Sequence, residues 1–227
     1  MHAAVTDAAT GARRARARRL AGLYALTPDE DDTARLLAAV RAALEGGAAA
    51  VQYRHKTASD ERKREQARAL ARLHAARGAL FIVNDDPALA AAVGADGVHV
   101  GADDVSLIAA REIVGPDRIV GVSCYDDFAR AEEAVQAGAD YVAFGSFHPS
   151  STKPAARRAD VGLLLRARSL SVPVVAIGGI DAGNARALVD AGADAIAVIR
   201  DLFDHDEPAD IVEAAAALAA CFRIRSP

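Results

Sequence analysis

Four stretches of the chain repeat one pattern: Gly47-Ala-Ala-Ala-Val-Gln-Tyr53, Gly94-Ala-Asp-Gly-Val-His-Val100, Gly138-Ala-Asp-Tyr-Val-Ala-Phe144 and Gly192-Ala-Asp-Ala-Ile-Ala-Val198. A glycine fits the left-handed position just past a helix end. The apolar run that follows is typical of a parallel strand covered on both faces. Each stretch therefore predicts a junction between a helix and a buried strand.

Four further strand-like runs separate these junctions, and helical segments with apolar spacing near 3.6 lie between the strands. The additional strands are predicted at Leu23–Leu26, Leu80–Val83, Ile119–Val122 and Val174–Ile177. The clearest helices are predicted at Thr33–Leu44, Ser59–Ala76, Phe128–Ala137 and Asn184–Ala191. Eight alternating units predict an α/β fold, a single (β/α)8 TIM barrel, and 227 residues suit one such domain.

A doubly wound open sheet is the alternative fold. It would normally carry a Gly-x-Gly-x-x-Gly turn after its first strand, and the sequence there is Leu26-Thr-Pro-Asp29. No linker divides the chain, so we expect the barrel to occupy residues 21–225. The longest irregular piece is the loop from Phe147 to Asp160.

Residues 1–20 precede the first strand and are rich in arginine. We interpret them as a partly ordered, frayed basic leader. A transit peptide is the alternative, since such peptides are rich in Arg and poor in acids, but Asp7 and the scarcity of serine weigh against it.

Composition excludes several classes of function. A formal net charge of -4 with no tryptophan and four tyrosines makes nucleic acid an unexpected partner. No apolar run approaches the roughly 20 residues that span a bilayer, so we expect neither a membrane protein nor a secreted one. The only cysteines, Cys124 and Cys221, form no CxxC pair, which argues against a disulfide framework or a zinc site and favours the cytoplasm.

Barrel enzymes place their sites at the carboxyl ends of the strands. Strand two runs into Gln52, Arg54 and Lys56, which share one face because side chains alternate along a strand. An amide with two cations suits phosphate oxygens, although a solvated strand end is the plainer interpretation. The chain has only three lysines, Lys56, Lys63 and Lys153, and two of them follow predicted strands.

Acidic doublets follow the next two strands: Asp85-Asp86 after Asn84, and Asp103-Asp104 after Gly101. One or two carboxylates, completed by water and substrate phosphate, are typical ligands of Mg²⁺. Helix capping is the alternative, with Asp86 before Pro87 and either Asp103 or Asp104 opening a helix. A glycosidase-like carboxylate pair is also conceivable, but the adjacent cations favour a bound anion.

The later strand ends carry small polar groups. Strand five ends at Ser123, and the loop after strand six contains Ser150, Ser151, Thr152 and Lys153. Gly178-Gly179 and Ile199-Arg200 follow strands seven and eight, the common phosphate site of this fold. The pattern predicts two anion sites in one mouth: a magnesium-bound diphosphate at strands two to six, and a phosphate at strands seven and eight.

Histidine and nucleophile chemistry is not indicated. No two histidines have metal-binding spacing, and His99, within strand four, is interpreted as a hydrogen-bonded core residue. Neither Ser123 nor Cys124 has a recognisable His and Asp relay, so we expect no covalent catalysis.

In order, the strand-end motifs resemble those of the thiamine-phosphate synthase family, over roughly residues 22–201. They are Gln52-x-Arg54-x-Lys56, Val83-Asn84-Asp85, Gly97-Val98-His99-Val100-Gly101, Asp104, Gly121-Val122-Ser123, Ser150-x-Thr152-Lys153 and Ile177-Gly178-Gly179. The resemblance implies a transferase of thiamine biosynthesis. It would join 4-amino-2-methyl-5-hydroxymethylpyrimidine diphosphate to 4-methyl-5-(2-phosphoethyl)thiazole, giving thiamine phosphate and pyrophosphate through a pyrimidine carbocation.

The resemblance also implies a role for each site residue. Asp85 and Asp104 would bind Mg²⁺. The pyrimidine diphosphate would be held by Gln52, Arg54, Lys56, Asn84, Ser123 and Lys153, of which Arg54, Lys56, Ser123 and Lys153 would be catalytic. Tyr53 and His55 would also bind substrate. The thiazole phosphate would be held by Ser150, Ser151, Thr152, Gly179, Ile199 and Arg200.

Two departures and two alternatives remain. Many family members have Pro at position 146 and Ser at position 200, where this chain has Ser146 and Arg200. We expect Arg200 to add a side-chain contact to the thiazole phosphate. The alternatives are a thiazole tautomerase-like paralogue, against which the complete diphosphate set argues, and a non-catalytic barrel that binds phosphate ligands. Both substrates would be small molecules, and a homo-oligomer is conceivable.

Overall fold

A computed structural model describes residues 2–75, 77–149 and 157–223, with side chains from residue 10 onward. Eight parallel strands form a closed barrel in sequence order, and β1 pairs with β8 to complete it. The predicted (β/α)8 barrel is confirmed. The strands are β1 Gly22–Leu26, β2 Ala48–Tyr53, β3 Leu80–Asn84, β4 Gly97–Val100, β5 Ile119–Tyr125, β6 Tyr141–Gly145, β7 Val174–Ile177 and β8 Ala195–Val198.

Helices cover the outside of the barrel in the part of the chain that the structure describes. They are α1 His2–Ala17, α2 Thr33–Glu45, α3 Asp60–Ala75, α4 Pro87–Val93, α5 Leu107–Val114, α6 Phe128–Gln136, α7 Gly162–Ala167, α8 Ala185–Ala191, α9 Arg200–Phe203 and α10 Pro208–Ala220. The predicted bounds mostly agree within one residue, but β5 extends three residues further, to Tyr125. None of these helices is both long and apolar enough to cross a membrane.

The repeated Gly-Ala-Asp pattern has a structural basis beyond the predicted helix end. The four leading glycines, Gly47, Gly94, Gly138 and Gly192, all adopt positive φ. In the last three copies the aspartate carboxylate accepts the backbone N–H of the preceding strand: Asp96 from Phe81, Asp140 from Val120 and Asp194 from Val174, each at 2.9 Å. Each aspartate therefore fastens the start of one strand to its neighbour.

Side-chain alternation along the strands separates two apolar cores. In β1, for example, Leu23 and Ala25 pack outward against the helices, whereas Tyr24 and Leu26 fill the barrel interior. The interior core also contains Leu20, which is 1% exposed. The same alternation decides which polar residues face the interior near the mouth.

Within the predicted partly ordered leader, residues 10–20 contact the barrel. Helix α1 and a 3-10 turn at Arg18–Leu20 lie against the amino-terminal end of the barrel. The Arg13 Nε atom donates to the Asp140 carboxylate at 2.7 Å, and Arg16 donates to the Asp117 carbonyl at 2.8 Å. The arginines that suggested a leader thus bind the first helix to the barrel.

His74 in α3 is a buried histidine outside the barrel interior. Its Nδ1 lies 2.8 Å from the Leu70 carbonyl, and its ring stacks on Phe81. Burial lowers the pKa of His74 below its usual value of 6.5. The folded protein therefore holds this imidazole neutral at a pH where the unfolded chain protonates it.

We expect His74 to make the fold sensitive to acid. As pH falls below 6.5, His74 binds a proton in the unfolded state but stays neutral in the folded state. The free energy of unfolding therefore decreases, by at most about 1.4 kcal/mol per pH unit for one proton. Replacing His74→Gln removes that contribution. Denaturant unfolding at pH 7.5 and 5.5 should show a smaller loss in the variant than in the wild type, and an equal loss would contradict the assignment.

Candidate functional site

Polar side chains face the barrel interior at the carboxyl ends of four successive strands. Gln52, Asn84, His99 and Ser123 occupy inward positions of β2 to β5, because their neighbours in each strand belong to the outer core. The strand register places Asn84 beside His99. The structure thus brings Gln52, Asn84 and Ser123 to one end of the barrel, as predicted.

The acidic residues meet the lysine at this mouth. Lys56 forms an ion pair with Asp85, which lies directly after β3. The Asp85 backbone N–H donates to the His99 carbonyl at 2.8 Å, and Asp85 adopts a φ of 62°. Asp104 is fixed by the Gly101 N–H, which donates to its carboxylate at 2.7 Å. A turn after β3 and a turn after β4 therefore present two carboxylates to one lysine.

The two carboxyl groups influence each other. Burial, the hydrogen bond to Asp85 and the charge of Asp85 raise the pKa of Asp104. Burial works against ionisation of Asp85 too, but its hydrogen bonds with Lys56 and Asp104 and the Lys56 charge leave its pKa below the usual value. Two adjacent oxygen ligands whose repulsion a cation would relieve fit Mg²⁺.

Asp85 and Asp104 are the two carboxylates proposed for a metal ion at this mouth. Among the residues that the structure describes, no group of three His, Cys, Asp or Glu side chains is placed to hold a metal ion. A magnesium ion here would need further oxygens from water or substrate. This is the arrangement expected where one or two carboxylates share the ion with a substrate phosphate.

The capping alternative applies to only one of the four aspartates. Asp86 caps α4 by accepting the Leu89 N–H at 2.8 Å. Helix α5 begins at Leu107 and is capped by Ser106, so the expectation that Asp103 or Asp104 opens this helix is wrong. The helix starts later than expected because the residues after β4 form a turn closed by the Asp104 carboxylate.

Arg54 and Lys56 are oriented by Asp29, a residue that the sequence did not single out. Its carboxylate lies 3.1 Å from the Arg54 guanidinium and accepts the Lys56 backbone N–H at 2.9 Å. Thr27 adds two hydrogen bonds to the Arg54 backbone. Its position shortly after β1 could have identified Asp29 as a site residue, because a polar residue there lies at the same mouth of the barrel.

Tyr53 and His55 alternate with the cations, and their side chains bind other partners. Tyr53 points outward and donates to Gln66 of α3 at 2.9 Å. His55 is buried; its Nδ1 accepts the Ala58 N–H at 3.1 Å, and its Nε2 lies 3.3 Å from an Asp31 carboxylate oxygen. Any contact of Tyr53 with a ligand in the barrel mouth would therefore involve its backbone.

The glycines after β7 lie against the segment that follows β6. A Cβ atom added at Gly178 would lie 2.1 Å from the Ser146 hydroxyl, and one at Gly179 would lie 2.2 Å from the Pro149 carbonyl. Ser146 donates its hydroxyl hydrogen to the His148 carbonyl at 2.7 Å. Only glycine fits these two positions, which keeps the backbone after β7 close to the loop.

Of the remaining residues predicted to bind the thiazole phosphate, the structure describes Ile199 and Arg200. Ser150, Ser151, Thr152 and Lys153 lie outside the described residues. Ile199 precedes α9 and is half-buried, whereas Arg200 begins that helix with an exposed side chain 2.9 Å from the Asp204 carboxylate. The predicted Arg200 contact with a phosphate would require the guanidinium to leave or share Asp204.

Ser123 has a histidine neighbour, but the two do not form part of a His and Asp relay. His99 Nε2 lies 2.8 Å from the Ser123 hydroxyl, and His99 Nδ1 lies 2.9 Å from the Tyr141 hydroxyl. The pairing of β4 with β5 creates this contact, which sequence spacing does not reveal. The interpretation of His99 as a hydrogen-bonded core residue is confirmed, and the third group is a tyrosine rather than an aspartate.

Similarity to known proteins agrees with this geometry. A family model described as thiamine monophosphate synthase matches residues 23–202. Thiamine-phosphate synthase of Thiobacillus denitrificans is 56% identical over 202 residues, 88% of this chain and 94% of the relative. The Chromobacterium violaceum enzyme of the same name is 55% identical over 207 residues, 91% of this chain and 99% of the relative.

A solved structure supports the same relationship. Thiamine phosphate pyrophosphorylase from Pyrococcus furiosus superposes with a TM-score of 0.80 at 36% identity, covering 91% of this chain and 97% of that one. The family match spans the barrel from β1 to α9 and includes every acidic and basic residue of the mouth described above. On these grounds the chain belongs to the thiamine monophosphate synthase family.

Proposed function

We propose that this enzyme joins the pyrimidine diphosphate and the thiazole phosphate named above, releasing pyrophosphate. The observation that carries this proposal is the convergence of Lys56, Asp85 and Asp104 at one barrel mouth, beside Ser123 and Gln52. Two carboxylates alone would suit many reactions. Two carboxylates with a lysine, an arginine and hydroxyl and amide groups suit a metal-bound diphosphate.

Asp85 and Asp104 would hold Mg²⁺, which when bound neutralises charge on the diphosphate oxygens. Lys56 and Arg54 add positive charge at the same place, and Ser123 and Asn84 offer hydrogen bonds. We assign Lys153 to the same substrate from the family motif. These groups favour the state in which negative charge has moved to the leaving diphosphate.

The bond between the pyrimidine methylene carbon and the diphosphate oxygen breaks first, with the electron pair departing on oxygen. The thiazole nitrogen then donates its electron pair to the resulting carbocation. The products are thiamine phosphate and pyrophosphate. No general base is needed, because the attacking nitrogen carries no proton to remove.

The thiazole phosphate would bind at the other side of the mouth, along Ser150 to Thr152, Gly179 and the Ile199-Arg200 backbone. The close approach of Gly178 and Gly179 to residues 146–149 supports a site built from backbone N–H groups. The two free cysteines, Cys124 and Cys221, suit a reducing compartment, and we place the enzyme in the cytoplasm.

Pyrophosphate release from the two substrates, measured with Mg²⁺ and after chelation by EDTA, tests the proposal. We expect one pyrophosphate and one thiamine phosphate per turnover with the metal, and a loss of at least about 100-fold without it. A tautomerase-like paralogue would release no pyrophosphate. A non-catalytic barrel would bind both ligands in calorimetry and release none, and either result would overturn the proposed reaction.

Arg200 gives a separate prediction for the thiazole phosphate side. Its ion pair with Asp204 is exposed on both sides and so contributes only about 0.3–0.5 kcal/mol, which a phosphate can replace. We expect Arg200→Ala to raise the KM for the thiazole phosphate about 3- to 10-fold, with the KM for the pyrimidine diphosphate unchanged. Asp204→Asn, which removes this ion pair, should not raise it. Steady-state kinetics with each substrate varied check both variants, and an unchanged KM in Arg200→Ala removes this contact.

A further inference from the structure

A continuous chain of hydrogen bonds crosses the barrel interior below the mouth. Gln52 Nε2 lies 2.8 Å from the Tyr24 hydroxyl, which lies 3.0 Å from the Tyr141 hydroxyl. The Tyr141 hydroxyl lies 2.9 Å from His99 Nδ1, and His99 Nε2 lies 2.8 Å from the Ser123 hydroxyl. Gln52 and Ser123, at the two ends of this chain, are proposed above to bind the substrate. Tyr24, Tyr141 and His99, between them, have no role in that proposal.

The directions of these hydrogen bonds depend on one another, since each hydroxyl has a single hydrogen. The Gln52 amide nitrogen can only donate, so the Tyr24 oxygen accepts, and the Tyr24 hydrogen is available for Tyr141, whose hydroxyl oxygen lies 3.0 Å away. Tyr141 then donates to His99 Nδ1. A neutral imidazole that accepts at Nδ1 carries its hydrogen on Nε2, and it donates that hydrogen to Ser123.

The Ser123 hydroxyl hydrogen is the one hydrogen that these hydrogen bonds do not use. Because the Ser123 oxygen accepts from His99, its own hydrogen points away from the imidazole, toward the mouth, where an anion needs a donor. In the reverse direction Ser123 would donate to His99 and present only lone pairs to the diphosphate. In the reverse direction the Tyr24 oxygen would accept from both Gln52 and Tyr141, so the buried Tyr24 hydrogen would make no hydrogen bond within this chain.

Burial keeps the two tyrosines of this chain protonated. Gln52, Tyr24 and Tyr141 are at most 3% exposed. Burial raises the pKa of Tyr24 and of Tyr141 above the usual value for tyrosine, so both keep the hydrogens that they donate. Each hydroxyl in the chain can therefore act as donor and acceptor at once.

The barrel makes room for the central ring at one position. A Cβ atom at Gly121 would lie 2.0 Å from the Tyr141 ring, so only glycine permits the ring to lie across β5. The Tyr141 ring stacks on His99 with centroids 5.4 Å apart and an interplanar angle of 22°. Gly121 precedes Ser123 by two residues on the same inward face of β5. Gly121 leaves space for the Tyr141 ring, and Ser123 supplies the hydroxyl that contacts His99.

We propose that Tyr24, Tyr141 and His99 are positioning residues, which direct the Ser123 hydroxyl hydrogen toward the diphosphate with the Gln52 amide setting the direction. They touch no reacting atom and act through Ser123. The inference rests on the proposed function, because it takes from it the assignment of Ser123 to the diphosphate.

A double-mutant cycle between Tyr141→Phe and Ser123→Ala tests the proposal. We expect each single variant to lower kcat/KM for the pyrimidine diphosphate about 10- to 100-fold, the loss of a hydrogen bond to a charged group. In the Ser123→Ala background, Tyr141→Phe should change kcat/KM by less than about twofold, since the hydroxyl it directs is gone. Independent, multiplying losses would overturn the proposal and leave the proposed function standing. Full activity in Ser123→Ala would instead remove Ser123 from the substrate site.

A matched pair of histidine variants separates positioning from general damage to the fold. His99→Leu and His74→Leu each remove a buried imidazole, but His74 lies in α3 and contacts Leu70 and Phe81. At pH 8 we expect only His99→Leu to lower kcat/KM for the pyrimidine diphosphate, with the KM for the thiazole phosphate unchanged. Equal kinetic losses in both variants would overturn the proposal. Thermal unfolding of each variant confirms that folded protein is compared.

Discussion

Asp85→Asn should lower pyrophosphate release by about 1000-fold at a fixed Mg²⁺ concentration, equivalent to about 4 kcal/mol of transition-state stabilisation. The substitution removes one of the two carboxylates proposed to hold the metal and also the partner of Lys56. It imposes little backbone strain, because the φ of 62° at Asp85 is one that asparagine tolerates as well as aspartate. The loss would therefore report charge and metal binding rather than misfolding.

The chain supplies matched controls for this prediction in the same two doublets. Asp86→Asn retains a capping side chain for α4, and Asp103→Asn changes an exposed residue next to Asp104. Both should keep pyrophosphate release within about twofold of the wild type. Titrations with Mg²⁺ should show that only Asp85→Asn requires a higher metal concentration. Wild-type metal dependence in Asp85→Asn would exclude this carboxylate as a ligand.

Asp140→Ala should lower the free energy of unfolding by about 3–5 kcal/mol. The Asp140 side chain is 1% exposed, and it binds Arg13 of α1, Arg111 of α5 and the Val120 N–H. Removing the carboxylate leaves two largely buried guanidinium groups without their counter-charge and one backbone donor without its acceptor. Urea unfolding followed by circular dichroism gives the value.

Two comparisons make this stability prediction specific. Asp190→Ala breaks an exposed ion pair with Arg186 one turn along α8, which should lower the free energy of unfolding far less than Asp140→Ala. Asp140→Asn keeps an oxygen for the Val120 N–H, so it should be less destabilising than Asp140→Ala. A cost below about 1 kcal/mol for Asp140→Ala would show that the two arginines find other partners.

The fold could be predicted because its determinants are local. The glycines at the four junctions mark helix ends by their positive φ, and the apolar runs behind them can only be buried as covered strands. Helix bounds followed from apolar spacing to within about one residue. The mouth residues Gln52, Asn84 and Ser123 could be found for a related reason: each ends a strand, and side chains alternate.

What sequence reasoning missed depends on pairing between distant segments. The contact of His99 with Ser123 arises from the register of β4 on β5, and Asp29 reaches Arg54 because β1 lies beside β2. Arg13 and Arg16 resembled part of a leader because their partners, Asp140 and the carbonyls of residues 116 and 117, are more than 100 residues away. Composition identifies such residues as basic but does not show what they bind.

The contacts of α1 also set an order for folding. This helix is synthesised before the barrel strands, but Arg13 and Arg16 bind residues 116, 117 and 140, which follow more than 100 residues later. Contacts of such long sequence separation form late, because a large loop must close before they stabilise anything. Helix α1 can therefore form these contacts only after the chain up to Asp140, directly before β6, has reached its place in the barrel.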